Sequence, residues 1–95
     1  MDDFFVVEPC KSSNAFEIKL KDKKLDLKRC EIAIPQFGKV IASGPVVLLA
    51  KTDEYSISIY ASGRIMVKGK KLESKKIDAL ARKILGIFET CGAIL

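Results

Sequence analysis

The sequence predicts an α+β domain in which an antiparallel sheet lays one apolar face against helices. Three observations carry that reading. YSISIY (55–60) and RIMVKG (64–69) alternate apolar with polar residues on either side of a Ser-Gly, the pattern of a hairpin with one face in a core. AFEIKL (15–20) alternates in the same way, with Phe16, Ile18 and Leu20 on one side and Glu17 and Lys19 on the other. Near the C-terminal end Ile77, Leu80, Ala81, Ile84, Leu85 and Phe88 recur at three- and four-residue spacing, a helix with a single apolar stripe. A one-sided sheet and a one-sided helix each supply the face the other needs, which suffices for two layers.

The elements follow in order. Residues 1–14 read as an N-terminal extension holding a short strand at Phe4–Val7 and a polar turn, KSSN. Residues 15–95 form the single domain, opened by the strand AFEIKL and broken by KDKK. In LDLKRCEIAI, Leu25, Leu27, Cys30, Ile32 and Ile34 fit a short helix without a clean period. Pro35 ends it, because proline disfavours helical geometry in the residue before it. Lys39–Ala42 and Val46–Lys51 are extended runs about Ser43-Gly44-Pro45. Val46 to Ala50 are all apolar, which predicts a strand covered on both faces or placed at the sheet centre. Thr52-Asp53-Glu54 then turns the chain into the 55–69 hairpin. Ser74 is the N-cap candidate of the long helix, and Gly92 its terminator. The order within the domain is β-α-β-β-β-β-α.

Composition limits the function classes. At 48% hydrophobic and 31% charged, the chain has the balance of a folded globular protein, and no segment reaches the ~20 apolar residues of a membrane span. The start, MDDFFVVEPC, lacks the basic residues and long apolar core of a secretory signal, so a cytoplasmic location is expected. A net charge of +5 suits an anionic partner and equally suits a plain solvated surface. The three cysteines, Cys10, Cys30 and Cys91, are scattered and odd in number, which argues against a disulfide framework. With no histidine and no C-x-x-C, zinc-ligand spacing is missing, and neither metal nor other cofactor is expected.

Alternation assigns the two faces of the hairpin. Tyr55, Ile57, Ile59, Ile65 and Val67 take the core side, while Ser56, Ser58, Tyr60, Arg64, Met66 and Lys68 take the other. The run IYASGRIMVKGKKLESKKIDALARKIL (59–85) resembles a half-repeat of the TATA-box-binding protein (TBP), with its aromatic, Ser-Gly and cation, a second strand ending in Gly, and an ARKI-like helix. KKLDLKRCEIA (23–33) and GPVVLLAKTDEYSISIY (44–60) resemble that family's first helix and central strands. The resemblance covers roughly 16–91. It implies a curved antiparallel sheet with helices on the convex side and an open concave face that meets DNA. On that likeness Tyr60 stands at a wedge aromatic, Arg64 at a phosphate-facing lysine, and Met66 and Lys68 at groove-facing positions. The second wedge position falls near Gly44-Pro45, which has no aromatic, and only one half-repeat is present. A two-repeat saddle would need an edge strand to pair with a second copy.

Three function classes follow. A nucleic-acid-binding module, for DNA or RNA, would use Tyr60, Arg64, Met66 and Lys68, supported by Lys39, Lys51 and Lys70. Its affinity would come from phosphates, and no set of Asn or Gln side chains offers base reading, so specificity is expected to be low. A protein-interaction module would use the sheet face or an edge strand, for another protein or for a homodimer. An enzyme is not expected: acid–base chemistry usually shows histidine or paired carboxylates, and Ser56, Ser58 and Ser62 have no base to activate them.

Overall fold

The computed structural model describes residues 5–10, 15–69 and 73–95. It is an α+β structure with one six-stranded antiparallel sheet and two α-helices. The strands are β1 (Phe5–Cys10), β2 (Ala15–Leu20), β3 (Lys39–Ser43), β4 (Val47–Lys51), β5 (Tyr55–Tyr60) and β6 (Arg64–Gly69). Helix α1 (Leu27–Ala33) and a 3₁₀ turn (Ile34–Gln36) lie between β2 and β3, and α2 (Ser74–Thr90) follows β6. The spatial order is β1-β2-β6-β5-β4-β3. Thus β1, within the stretch that reads as an extension, pairs along all of β2 from Phe5↔Leu20 to Cys10↔Ala15.

Alternation decides which face is buried. Phe16, Ile18 and Leu20 of β2 share a face with Ile65 and Val67 of β6, Tyr55, Ile57 and Ile59 of β5, and Leu48 and Ala50 of β4. These join Ile77, Ala81, Ile84, Leu85 and Phe88 of α2, and Cys30 and Ala33 of α1, in one core. Each large apolar side chain so buried contributes roughly 1.5–3 kcal/mol. No helix among the described residues is long and apolar enough to cross a membrane.

The helix ends are built locally. Asp26 caps α1, its carboxylate accepting from the N–H groups of Lys28 and Arg29. The Pro35 break is softer than expected, because the chain continues through the 3₁₀ turn before leaving helical geometry. At α2 the N-cap is Glu73 rather than Ser74, and no side chain caps it. Its C-terminus is closed at Gly92, whose φ is 75°. The Gly92 and Ala93 N–H groups donate to the carbonyls of Glu89 and Phe88, the paired bonds that Gly favours after a helix.

β4 departs from its expected setting. It lies next to the outer strand β3, with Leu48 and Ala50 buried but Leu49 38% exposed. Among the described residues nothing stacks on its second face, and β3 is short and bulged between Val40 and Ala42. The Ser62-Gly63 turn has a tertiary role beyond reversing the hairpin. Its Gly63 carbonyl accepts from Leu20 N–H, and the neighbouring Ala61 carbonyl accepts from Leu25 N–H, tying the β5–β6 turn to the β2–α1 loop.

Candidate nucleic-acid interface on the open sheet face

The face opposite the core carries side chains in rows that run across the strands, fixed by the pairing register. One row reads Ala15, Lys68, Ser56, Lys51, Lys39 from β2 to β3. The next reads Glu8, Glu17, Met66, Ser58, Leu49, Ala42. A third reads Val6, Lys19, Arg64, Tyr60, Val47. Successive rows are two residues apart along each strand, about 7 Å.

The first row gathers three of the candidate cations. Lys39 and Lys51 are directly opposite each other, about 5 Å apart at the backbone, and Lys68 is two strands away, about 10 Å. All three are exposed, and no carboxylate among the described residues pairs with any of them. Opposed like charges cost a sheet up to about 1 kcal/mol, so the charges of the Lys39–Lys51 pair do not stabilise the sheet. Where it reaches the end of the sheet, an open hollow of about 710 Å³ is lined by Lys51, Ser56, Lys68 and, from α2, Lys76. Asp53 and Glu54 of the β4–β5 turn stand on the same hollow.

Tyr60 and Arg64 belong to the third row, about 13 Å from the lysines. Arg64 is committed elsewhere: its Nη2 donates to Glu17 Oε2 at 2.7 Å, and its guanidinium sits 6.0 Å from the Tyr60 ring centroid. Glu17 also faces Lys19 at 3.4 Å, and its side chain is only 14% exposed. The Arg64 hydrogen bond holds the Glu17 carboxyl below the ordinary glutamate range, against the opposing effect of burial and with further help from Lys19. With Glu8 3.9 Å from Lys19, these four side chains form a network of zero net charge. Met66 lies between the two regions, in the middle row. Lys70 falls outside the described residues.

The register therefore brings Lys39, Lys51 and Lys68 together and separates them from Tyr60 and Arg64. Glu17 is the residue of this face whose role reading the strands singly leaves out. The only signal for Glu17 is its place on the polar side of AFEIKL, and its partner is 47 residues away.

Two thiols belong to the described residues, Cys30 and Cys91. Cys30 is buried, which pushes its pKa up to about 12, with smaller contributions from Asp26 and Cys91. Cys91 is half-buried and accepts a long contact from Gln36 Nε2 at 3.8 Å. The Cys10 side chain lies outside the described part. No group of three or more metal-ligating side chains occurs among the described residues. Comparison with protein families, with curated proteins and with solved structures gives no match.

Proposed function

We propose that this protein is a non-catalytic nucleic-acid-binding module of TBP-like fold, which takes a sugar-phosphate backbone on the lysine row of its open sheet face with low sequence specificity. The observation that carries this reading is the opposed Lys39–Lys51 pair with Lys68 in line, three exposed cations without a carboxylate partner among the described residues. A polyanion supplies the compensation that the fold leaves out. The TBP-like assignment is supported by the element order from β2 to α2, which follows the order the resemblance implies. Arg64 plays a smaller part than the resemblance gives it, because Glu17 already holds it.

A second reading is a protein-interaction or homodimerisation module of the same fold. It is favoured by the β3–β4 hairpin, which carries Ile41 at 60%, Val46 at 66% and Leu49 at 38% exposure at β3, the outermost of the described strands on that side. Fluorescence anisotropy with labelled oligonucleotides, together with sedimentation of the protein alone, separates the two. The first reading expects a Kd of order 1–100 μM at physiological salt, within the range of non-specific binding. Lys39→Ala, Lys51→Ala and Lys68→Ala combined should abolish it. Absence of binding with a concentration-dependent dimer that Ile41→Asp disrupts would favour the second.

A further inference from the structure

We infer that a second hollow, on the β3 side of the β4–β5 turn, binds a nucleoside monophosphate, with the base on an apolar wall and the phosphate on lysines. The hollow is open, measures about 780 Å³ and falls within the size range of small-ligand sites. The 3₁₀ turn, the facing ends of β3 and β4, and α2 enclose it. One wall is apolar. Phe37 and Leu80 are half-buried, packed on the core and also lining the hollow. The Phe37 ring is held by a tilted contact with Phe88, their centroids 6.1 Å apart. Exposed Ile41 extends this wall. Gly38 keeps the corner tight, since a Cβ added there would collide with the Lys51 carbonyl oxygen.

The rest of the lining is charged or polar. Its cations come from three elements, Lys39 of β3, Lys51 of β4 and Lys83 of α2. Lys83 is exposed and, like the other two, has no carboxylate partner among the described residues. The acids, Asp53 and Glu54, both belong to the turn, so the lining keeps an excess of positive charge. Tyr55 is only 9% exposed, yet its hydroxyl has no hydrogen-bond partner among the described residues and is not buried. An inorganic anion would leave the apolar wall uncovered, and a neutral ring would leave the lysines unmatched. A nucleoside monophosphate answers both, and a base with an amino group gives the two carboxylates a donor. Choosing a nucleotide among aromatic phosphates rests on the nucleic-acid reading, because Lys39 and Lys51 serve the row as well. The same chemistry arrives as a free nucleotide or as the phosphorylated end of a strand lying on that row.

The test follows the amide NMR signals of the whole chain during titration with adenosine 5′-monophosphate (AMP), and separately with inorganic phosphate and with adenosine. AMP is expected to shift Gly38, Thr52 and Lys83 and to bind about tenfold more tightly than either of its parts. Lys83 lines this hollow and not the one at the end of the lysine row, and Lys68 the reverse. Lys83→Ala should therefore weaken AMP about tenfold, the worth of one charge-assisted hydrogen bond, while Lys68→Ala leaves it unchanged. Phe37→Leu, which keeps an apolar side chain on the core but removes the ring, should weaken AMP several-fold. Displacement of AMP by a 5′-phosphorylated oligonucleotide more readily than by its 5′-hydroxyl counterpart identifies a strand end as the source. Equal displacement, or none, identifies the free nucleotide, and each result supports the site. AMP that shifts none of these signals at about 1 mM, binds no better than phosphate, or binds the Lys83→Ala protein as well as the parent would overturn the inference. Oligonucleotide binding that still requires Lys68 would then leave the nucleic-acid reading in place. AMP binding through Lys83 with no oligonucleotide bound would instead remove the lysine-row reading and keep this site.

Discussion

Replacing glycine by alanine at two positions should move stability in opposite directions, and the structure gives the size of each effect. Gly86 lies in the interior of α2 on its exposed side, and a Cβ added there meets no atom within 4 Å. Gly86→Ala removes the entropic cost of glycine in a helix and should stabilise the protein by about 0.5–1 kcal/mol. Gly63 is buried in the β5–β6 turn with φ 101°, and its added Cβ would collide with the Lys23 carbonyl oxygen. That backbone geometry costs a non-glycine residue about 1–3 kcal/mol. Relief of the collision must also shift the loop that donates Leu20 N–H to Gly63 and Leu25 N–H to Ala61, weakening bonds worth about 1 kcal/mol each. Gly63→Ala should therefore destabilise by about 2–4 kcal/mol. For a chain of this length each kcal/mol moves Tm by about 4–8 °C, so the two variants should bracket the parent protein widely. Urea unfolding followed by circular dichroism measures both. A Gly63→Ala protein as stable as the parent would show that the tie between the turn and the β2–α1 loop is not part of the folded state.

Three further outcomes follow from the open face and the thiols. Three lysines on a single strand predict a slope of log Kobs against log[salt] of about −2, an affinity loss of about twentyfold between 50 and 200 mM salt, and a slope nearer −1.4 after Lys39→Ala; anisotropy titrations at several salt concentrations read this directly. Because the folded pKa of Glu17 is lowered, the unfolded chain binds more protons in the acid range. The contribution of Glu17 is present above its unfolded pKa and lost as pH falls through the folded one. Glu17→Gln should flatten that acid limb of urea midpoints, and an unchanged limb would remove Glu17 from the account. The pKa of Cys30, raised to about 12, runs in the other direction: its contribution is intact below the unfolded thiol value and declines as pH rises toward 12. In a Cys10→Ser background an alkylating reagent at pH 8 should label Cys91 first and reach Cys30 only on unfolding, which mass spectrometry distinguishes.

What could be read from the chain was what local period decides. The faces of β2, β5 and β6 follow from alternation, and the buried stripe of α2 from its spacing; both lie where each side chain's neighbours are close in sequence. Val46 to Ala50 misled because five apolar residues carry no period. Only the assembled sheet shows that Leu49 stays partly in solvent, 38% exposed. In LDLKRCEIAI the irregular period has a cause: Leu25 bridges to Ile94 before the helix begins, and Ile32 is 76% exposed while Cys30, Ala33 and Ile34 are buried. The site was legible as a set of residues and not as an arrangement. Lys39, Lys51 and Lys68 belong to one row only because three separate strand pairings keep register. The same pairings move Tyr60 and Arg64 to the far row and set Glu17 against Arg64.

The place of β1 bears on how the sheet meets other chains. β2 has a neighbour on each side, β6 and β1, so the strand that opens the 15–95 domain has no edge to offer. β1 is attached to β2 through only the four positions 11–14. A strand tethered so closely competes for that edge at an effective concentration in the millimolar range. A second copy reaching for the same hydrogen bonds must displace it, and at ordinary protein concentrations loses by mass action. Growth of the sheet beyond one chain is thereby directed to its outer margins, β1 and β3. One carries a proline within its own strand, and the other a bulge and a lysine. Both margins thus carry the features that natural sheets use to stay apart.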